Sequence, residues 1–270
     1  MRIIGVIGPT ASGKSAKAVA LAKELDGEVI SVDSRQVYRT LDIGTEKTIT
    51  KEMGGIPHYL IDVREPEDAY SAGDFVHDAK ELIKDIQARG KVPILAGGTH
   101  FYFDALLYAL PPSSVDPVLR HELEKLSAEE LFTRLQAVDP RRASRIDAHN
   151  PRRLIRALEI VAEHGSVPER VRSVPAYDIE WITIDPPKEE LRARIDARLE
   201  QALARGLIDE VRAVRERVGD IRLNELGLEY RIVGEYLRGE RSEASLLPSL
   251  STKLWHYARH QKAWLRKLQQ

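Results

Sequence analysis

The chain has 270 residues, 43% of them hydrophobic and 31% charged, which is enough for one sizeable core and a smaller attached unit. It contains no cysteine, so disulfides, thiolate catalysis and cysteine-ligated zinc are excluded, and any metal is expected to be a hard cation on oxygen ligands. A formal net charge of -1 gives no overall bias toward nucleic acid, and the short apolar opening before Gly8 fits neither a signal peptide nor a membrane span, so a cytoplasmic protein is expected.

The first predicted element is a β-branched, buried parallel strand over Arg2–Ile7, followed by a helix over Lys14–Leu25. Between them Gly8, Pro9, Thr10, Ala11, Ser12, Gly13, Lys14 and Ser15 match the phosphate-loop pattern in full, in the strand–loop–helix context it requires. Loop amides and the helix dipole would hold phosphate oxygens, Lys14 would add a positive charge, and the Ser15 hydroxyl is placed to ligate Mg²⁺. A second run, Glu28–Val32, ends in Asp33, which suits either a general base beside the phosphates or a carboxylate capping a turn. Ser34, Arg35 and Gln36 follow it as a polar loop able to face a base edge. Ala72–Ala88 has helical spacing, and a third strand, Val92–Ala96, runs into Gly97-Gly98-Thr99, either a plain glycine turn or a close backbone approach with a hydroxyl near the site. Strands alternating with helices predict an α/β fold, a parallel sheet flanked by helices with ligands at the strands' carboxyl ends.

From Pro111 the texture changes. Pro111-Pro112-Ser113-Ser114 reads as a linker, and Val118–Val138 and Arg152–His164 as helices with no strand between them. The predicted organisation is a P-loop NTPase-like core, 1–112 and 177–270, interrupted by an all-helical insertion over 113–176. Within it Arg141, Arg142, Arg145, Arg152, Arg153 and Arg156 fall in a stretch whose only acid is Asp147. The core resumes with a strand at Glu180–Ile184 and helices at Lys188–Arg205 and Ile208–Arg217, where Arg212 has the spacing of a solvated face. A tail helix, Leu246–Leu268, carries Trp255, Tyr257 and Trp264, whose ordinary reading is core packing and not base stacking. No acid follows Glu243, while Lys253, Arg259, Lys262, Arg266 and Lys267 do, so two basic surfaces are compatible with a neutral average. A phosphate loop alone suggests a kinase or ATPase.

Taken together, the phosphate loop, Ile30-Ser31-Val32-Asp33-Ser34 with Gln36-Val37-Tyr38, Leu41-Asp42-Ile43-Gly44-Thr45, Pro57-His58-Tyr59-Leu60-Ile61-Asp62, Tyr70-Ser71-Ala72 with Phe75, Gly97-Gly98-Thr99 with Tyr102, and Asn150 through Glu159 resemble the tRNA dimethylallyltransferases, bacterial type. The resemblance covers nearly the whole chain and displaces the kinase reading. It implies transfer of a dimethylallyl group from dimethylallyl diphosphate to the N6 amine of adenosine 37 beside the tRNA anticodon, with Mg²⁺, by a cytoplasmic monomer. By the same resemblance the loop holds the diphosphate and not ATP, Asp33 is the base, and Thr99, Arg120 and Arg212 lie in or at the edge of the reaction channel. Contacts to the tRNA anticodon stem-loop would fall on Asp33, Ser34, Arg35, Gln36, Thr99, Arg120, Arg152, Arg153, Leu154, Ile155, Arg156, Arg259, Gln261 and Arg266. The chain departs from the family pattern at Lys47-Thr48, in the run Leu226-Gly227-Leu228-Glu229-Tyr230-Arg231, and at His260. The rival readings are a small-metabolite kinase, an adenylate isopentenyltransferase, which would not need the arginine helix, and a non-catalytic RNA-binding or nucleotide-sensing module.

Overall fold

The computed structural model describes residues 2–108, 116–169 and 174–268, with side chains described as far as Leu265. The predicted linker therefore lies outside the described residues. The chain divides into two compact units, Met1–Tyr108 with Pro175–Gln270, and Ala109–Val174.

The first unit is built on five parallel strands, β1 (Ile3–Ile7), β2 (Gly27–Val32), β3 (His58–Tyr59), β4 (Val92–Gly97) and β5 (Ile179–Thr183), in the order β3-β2-β4-β1-β5. Alternation splits β1 between two cores. Ile4 and Val6 pack with Val29, Ile94 and the buried Ala18, Leu21 and Ala22 of α1 (Lys14–Leu25), while Ile3 and Ile7 join the larger core with Ile30, Val32 and Leu95. That larger core takes Phe75, Ile83 and Ile86 from α3 (Ala72–Ala88), which follows a single-turn helix, α2 (Thr50–Met53). It also takes Phe103 and Leu106 from α4 (His100–Tyr108), a helix apolar nearly all round and hence without the one-sided period that marks helices in a sequence.

Among its described residues the second unit has four helices: α5 (Pro117–Glu124), α6 (Ala128–Val138), α7 (Pro140–Ala143) and α8 (Pro151–His164). The single helix expected over Val118–Val138 is two. Ser127 accepts from the Glu130 amide while the Glu130 carboxylate accepts from the Ser127 amide, a capping box that starts a new helix there. The unit's core holds Leu123, Leu131, Leu135, Leu154, Ile155 and Leu158.

The first unit continues after β5 with α9 (Lys188–Ala204), α10 (Leu207–Leu223), α11 (Leu228–Leu237) and α12 (Leu246–Leu268). α10 runs past the predicted Arg217 through a kink at Gly219, which has φ 72°. Leu250, Leu254, Ala258 and Leu265 of α12 are buried in the sheet's larger core, so the tail is an integral layer of this unit.

Candidate active site at the phosphate loop

Gly8–Ser15 connect the carboxyl end of β1 to the amino end of α1. Ser12 N–H donates to Pro9 O at 3.3 Å, Ala11 has φ 59° and Gly13 φ 90°, so the loop turns through left-handed backbone where glycine is at ease. The Lys14 ammonium reaches back to Pro9 O at 3.4 Å. Burial pulls its pKa below the usual lysine range, Asp33 and Glu46 oppose that shift, and Arg198 adds to it. Ser12 Oγ is buried without a partner among the described residues, as suits a hydroxyl facing a bound anion.

Asp33 lies just beyond the carboxyl end of β2. Its Oδ1 accepts from the amides of Arg35 at 2.8 Å and Gln36 at 3.2 Å, so the turn-cap role is real. Among the described residues no donor reaches Oδ2, which leaves one oxygen for chemistry. Thr99 joins the neighbouring strand end to this turn: its N–H donates to Val32 O at 3.1 Å and its Oγ1 accepts from Ser34 N at 3.1 Å, leaving the hydroxyl proton available. Gly98 sits where a Cβ would lie 2.6 Å from Gln261 Nε2, so a side chain there would displace the Gln261 amide that bonds Gly98 O.

Two arginines not anticipated from the sequence close around the loop from α9. Arg194 donates to Ser12 O at 3.0 Å, and Arg198 donates to Thr10 Oγ1, with further contacts to Glu229 at 3.1 Å and Glu46 at 3.2 Å. Arg198 and Glu229 have side chains only 11% and 12% exposed, and burial raises the Glu229 carboxyl above the ordinary range while Arg198 opposes it. The altered run around Glu229 thus supplies a counter-ion to the loop's arginine. Its neighbour Tyr230 donates to Glu210 at 2.7 Å, and Glu210 also accepts from the amides of Asp42, Ile43 and Gly44, holding the 41–45 turn. Lys47 is buried between Asp42 and Asp62 and donates to Tyr38 O at 2.8 Å. His100 is 7% exposed with neither ring nitrogen partnered among the described residues, and burial, with the nearby Lys14 charge, lowers its pKa to about 4.

The structure redistributes several residues expected at a tRNA surface. Gln261 is 4% exposed, accepts from Thr10 N at 2.8 Å and donates to Gly98 O at 3.1 Å, so it ties the tail helix to the loop. Gln36 donates to Thr45 O and Glu46 O and faces Ser31 Oγ at 3.3 Å, which commits its amide to the fold. Leu154 and Ile155 are buried core residues of the second unit, as apolar positions on a two-faced helix must be. Arg120 is bidentate on Glu159 at 2.7 and 2.9 Å, and Arg156 joins the same buried carboxylate at 3.1 Å. Arg152, Arg153 and Arg259 are exposed, Arg35 is half-buried, and the Arg266 side chain lies outside the described residues. Arg212 is half exposed and pairs with Asp209, three residues back, and among the described residues it bonds to neither Lys14 nor Asp33. Only the family resemblance points to a role for it in the channel.

Comparison with known proteins places this architecture. A protein-family model described as IPP transferase matches residues 36–268. A protein of Thermomicrobium roseum named tRNA dimethylallyltransferase is 40% identical, covering 99% of this chain and 84% of its own length, and one of the same name from Anaeromyxobacter dehalogenans is 43% identical, covering 99% and 92%. Among solved structures, the full-length tRNA isopentenylpyrophosphate transferase of Bacillus halodurans superposes with a TM-score of 0.72 at 36% identity, over 98% of this chain and 86% of that one. A eukaryotic dimethylallyltransferase captured acting on tRNA gives 0.84 at 28% identity, over 98% and 69%.

Proposed function

The chain belongs to the IPP transferase family, and from that premise we propose that it transfers a dimethylallyl group from dimethylallyl diphosphate to the exocyclic N6 amine of adenosine 37 in the tRNA anticodon loop, releasing diphosphate. The observation that carries the reading is Asp33: one carboxylate oxygen anchors its turn, the other is unclaimed, and its charge acts on the loop lysine.

In the reaction the amine nitrogen attacks the allylic carbon, the bond from that carbon to the diphosphate oxygen breaks with its electron pair, and a proton leaves the nitrogen for Asp33 Oδ2. The exocyclic amine of adenine is a weak nucleophile, so charge developing on the leaving group must be neutralised early. Lys14 and the loop amides at the start of α1 do this in place, without reorganising solvent. Thr99, whose hydroxyl proton is unspent, donates beside them. Arg194 and Arg198 act at one remove, holding the loop through Ser12 O and Thr10 Oγ1.

The Ser15 hydroxyl in the first turn of α1 fits a hard oxygen-ligated cation at the loop. Mg²⁺ would be held by Ser15 and the diphosphate oxygens, supplying charge neutralisation when bound. The target base cannot react while stacked, so it is extruded, as the splayed bases of an RNA loop permit. The exposed Arg152 and Arg153 supply phosphate contacts to the anticodon stem, and the enzyme works as a cytoplasmic monomer.

The test is Asp33→Asn, because asparagine can still cap the turn but cannot accept a proton at neutral pH. Single-turnover label transfer from dimethylallyl diphosphate, at saturating tRNA, is expected to fall by roughly 10²–10⁴ with the melting temperature unchanged. A rate within threefold of the parent removes Asp33 as the base, and label appearing on AMP but not on tRNA removes tRNA as the acceptor.

A further inference from the structure

The three aromatic residues of α12 have different surroundings. Trp255 is partly buried against the core with the Arg192 guanidinium 5.8 Å from its ring centre. Trp264 lies parallel to the His100 imidazole, centroids 6.1 Å apart and planes within 5°. Tyr257 makes no aromatic or cation–π contact among the described residues and is 46% exposed.

Position decides what that ring can meet. Tyr257, Gln261 and Trp264 fall at i, i+4 and i+7, one face of the helix. Gln261, one turn on, is pinned between Thr10 of the phosphate loop and Gly98 of the β4 turn, so this face of α12 is the one turned to the site. The tyrosine's pKa is pushed up to about 12, first by burial and then by Asp33 and Glu229, with Arg35 and Gln261 opposing. Nearly half exposed on the helix face that holds Gln261, the ring borders the approach to the phosphate loop and the β4 turn. Lys253 and His260, both exposed, flank it on the same helix, which suits an anionic polymer.

We infer that Tyr257 is the stacking platform for the extruded adenine, a positioning residue that takes one face of the purine while the amine edge points to Asp33 Oδ2. The inference rests on the proposed transfer to a tRNA adenine and adds the group that holds the base flat. An isolated purine outside its stack needs such a partner, and any π-face of the right orientation serves. The hydroxyl stays protonated at neutral pH, so no charge is placed beside the base.

The experiment uses the full chain and an anticodon stem-loop with 2-aminopurine at the target position, whose fluorescence reports stacking and which lacks the reactive amine. The parent should quench or shift that fluorescence on binding, Tyr257→Phe should do the same, and Tyr257→Leu should lose most of the change. With the natural stem-loop, Tyr257→Leu should lower single-turnover transfer about tenfold to a hundredfold, the span of base–aromatic stacking, with diphosphate affinity and melting temperature unmoved. Unchanged fluorescence and rate in Tyr257→Leu overturn the platform, and so does a loss of equal size in Tyr257→Phe, which would assign the effect to the hydroxyl. Label transfer by the parent to the natural stem-loop is the control: its failure sinks the underlying reading, whereas its success beside an unaltered leucine variant sinks the platform alone.

Discussion

Two helices of this protein carry arginines four residues apart, and the pairs do opposite things. On α8, Arg152 is exposed and Arg156 rests on the buried Glu159 of its own unit. On α9, Arg194 and Arg198 turn inward and bond the backbone and a side chain of the phosphate loop. Both helices have an apolar stripe, Leu154, Ile155 and Leu158 on one and Leu191, Ile195 and Leu199 on the other. Their arginines flank those stripes alike. What differs is the covering: α9 lies against a turn rich in carbonyls and hydroxyls, while Arg152 and Arg153 stay on the exposed side of α8. An amphipathic pattern says which residues leave the core, and neighbouring elements decide what those residues touch.

The comparison breaks most sharply at Arg198. Arg198→Ala should cost about 3–5 kcal/mol, because it leaves Glu229 buried without its counter-ion. The sign with pH follows from the raised Glu229 pKa: the neutral acid is favoured in the folded state, so stability is held below the ordinary carboxylate pKa and lost as pH rises through the raised one. Denaturation midpoints of Arg198→Ala should therefore recover in acid, and adding Glu229→Gln should restore stability at neutral pH. A variant as stable as the parent at every pH would show that the pair is dispensable.

Lys14→Ala comes next. It removes the charge proposed to meet the leaving group and should slow single-turnover transfer by at least about 10²–10³ while the fold survives. A rate near that of the parent would move the diphosphate site off the loop.

The smallest effect sharpens the outward half of the comparison. Reversal of Arg152 and Arg153 to glutamate should leave the diphosphate site untouched. Binding of the anticodon stem-loop should weaken, and its logarithmic salt slope should flatten by roughly two, one for each phosphate that an arginine no longer neutralises. An unchanged slope would place the tRNA surface elsewhere.

What the chain alone makes legible is local. The phosphate loop is eight consecutive residues whose backbone makes the cradle, so its chemistry sits in one window of sequence, and the strands leading to Asp33 and Thr99 announce themselves as short β-branched runs. Asp33's two readings can be stated from sequence but not separated, since the carboxylate both caps and faces the site. The break at Ser127 is written in its capping box, yet apolar spacing runs through it and masks the boundary. α4 has no period to read because nearly every face is covered.

Tertiary structure decided everything that joins distant parts of the chain. Thr10 meets Gln261 across 251 positions and Arg198 across 188, and these contacts turn a polar tail residue into a strut and an ordinary helical arginine into the loop's support. The tail aromatics that read alike in sequence come to rest against an arginine, against a histidine and, nearly half exposed, on the face that holds Gln261. Periodicity encodes burial against exposure along one element, and the partner across a contact depends on packing that no single window of sequence contains.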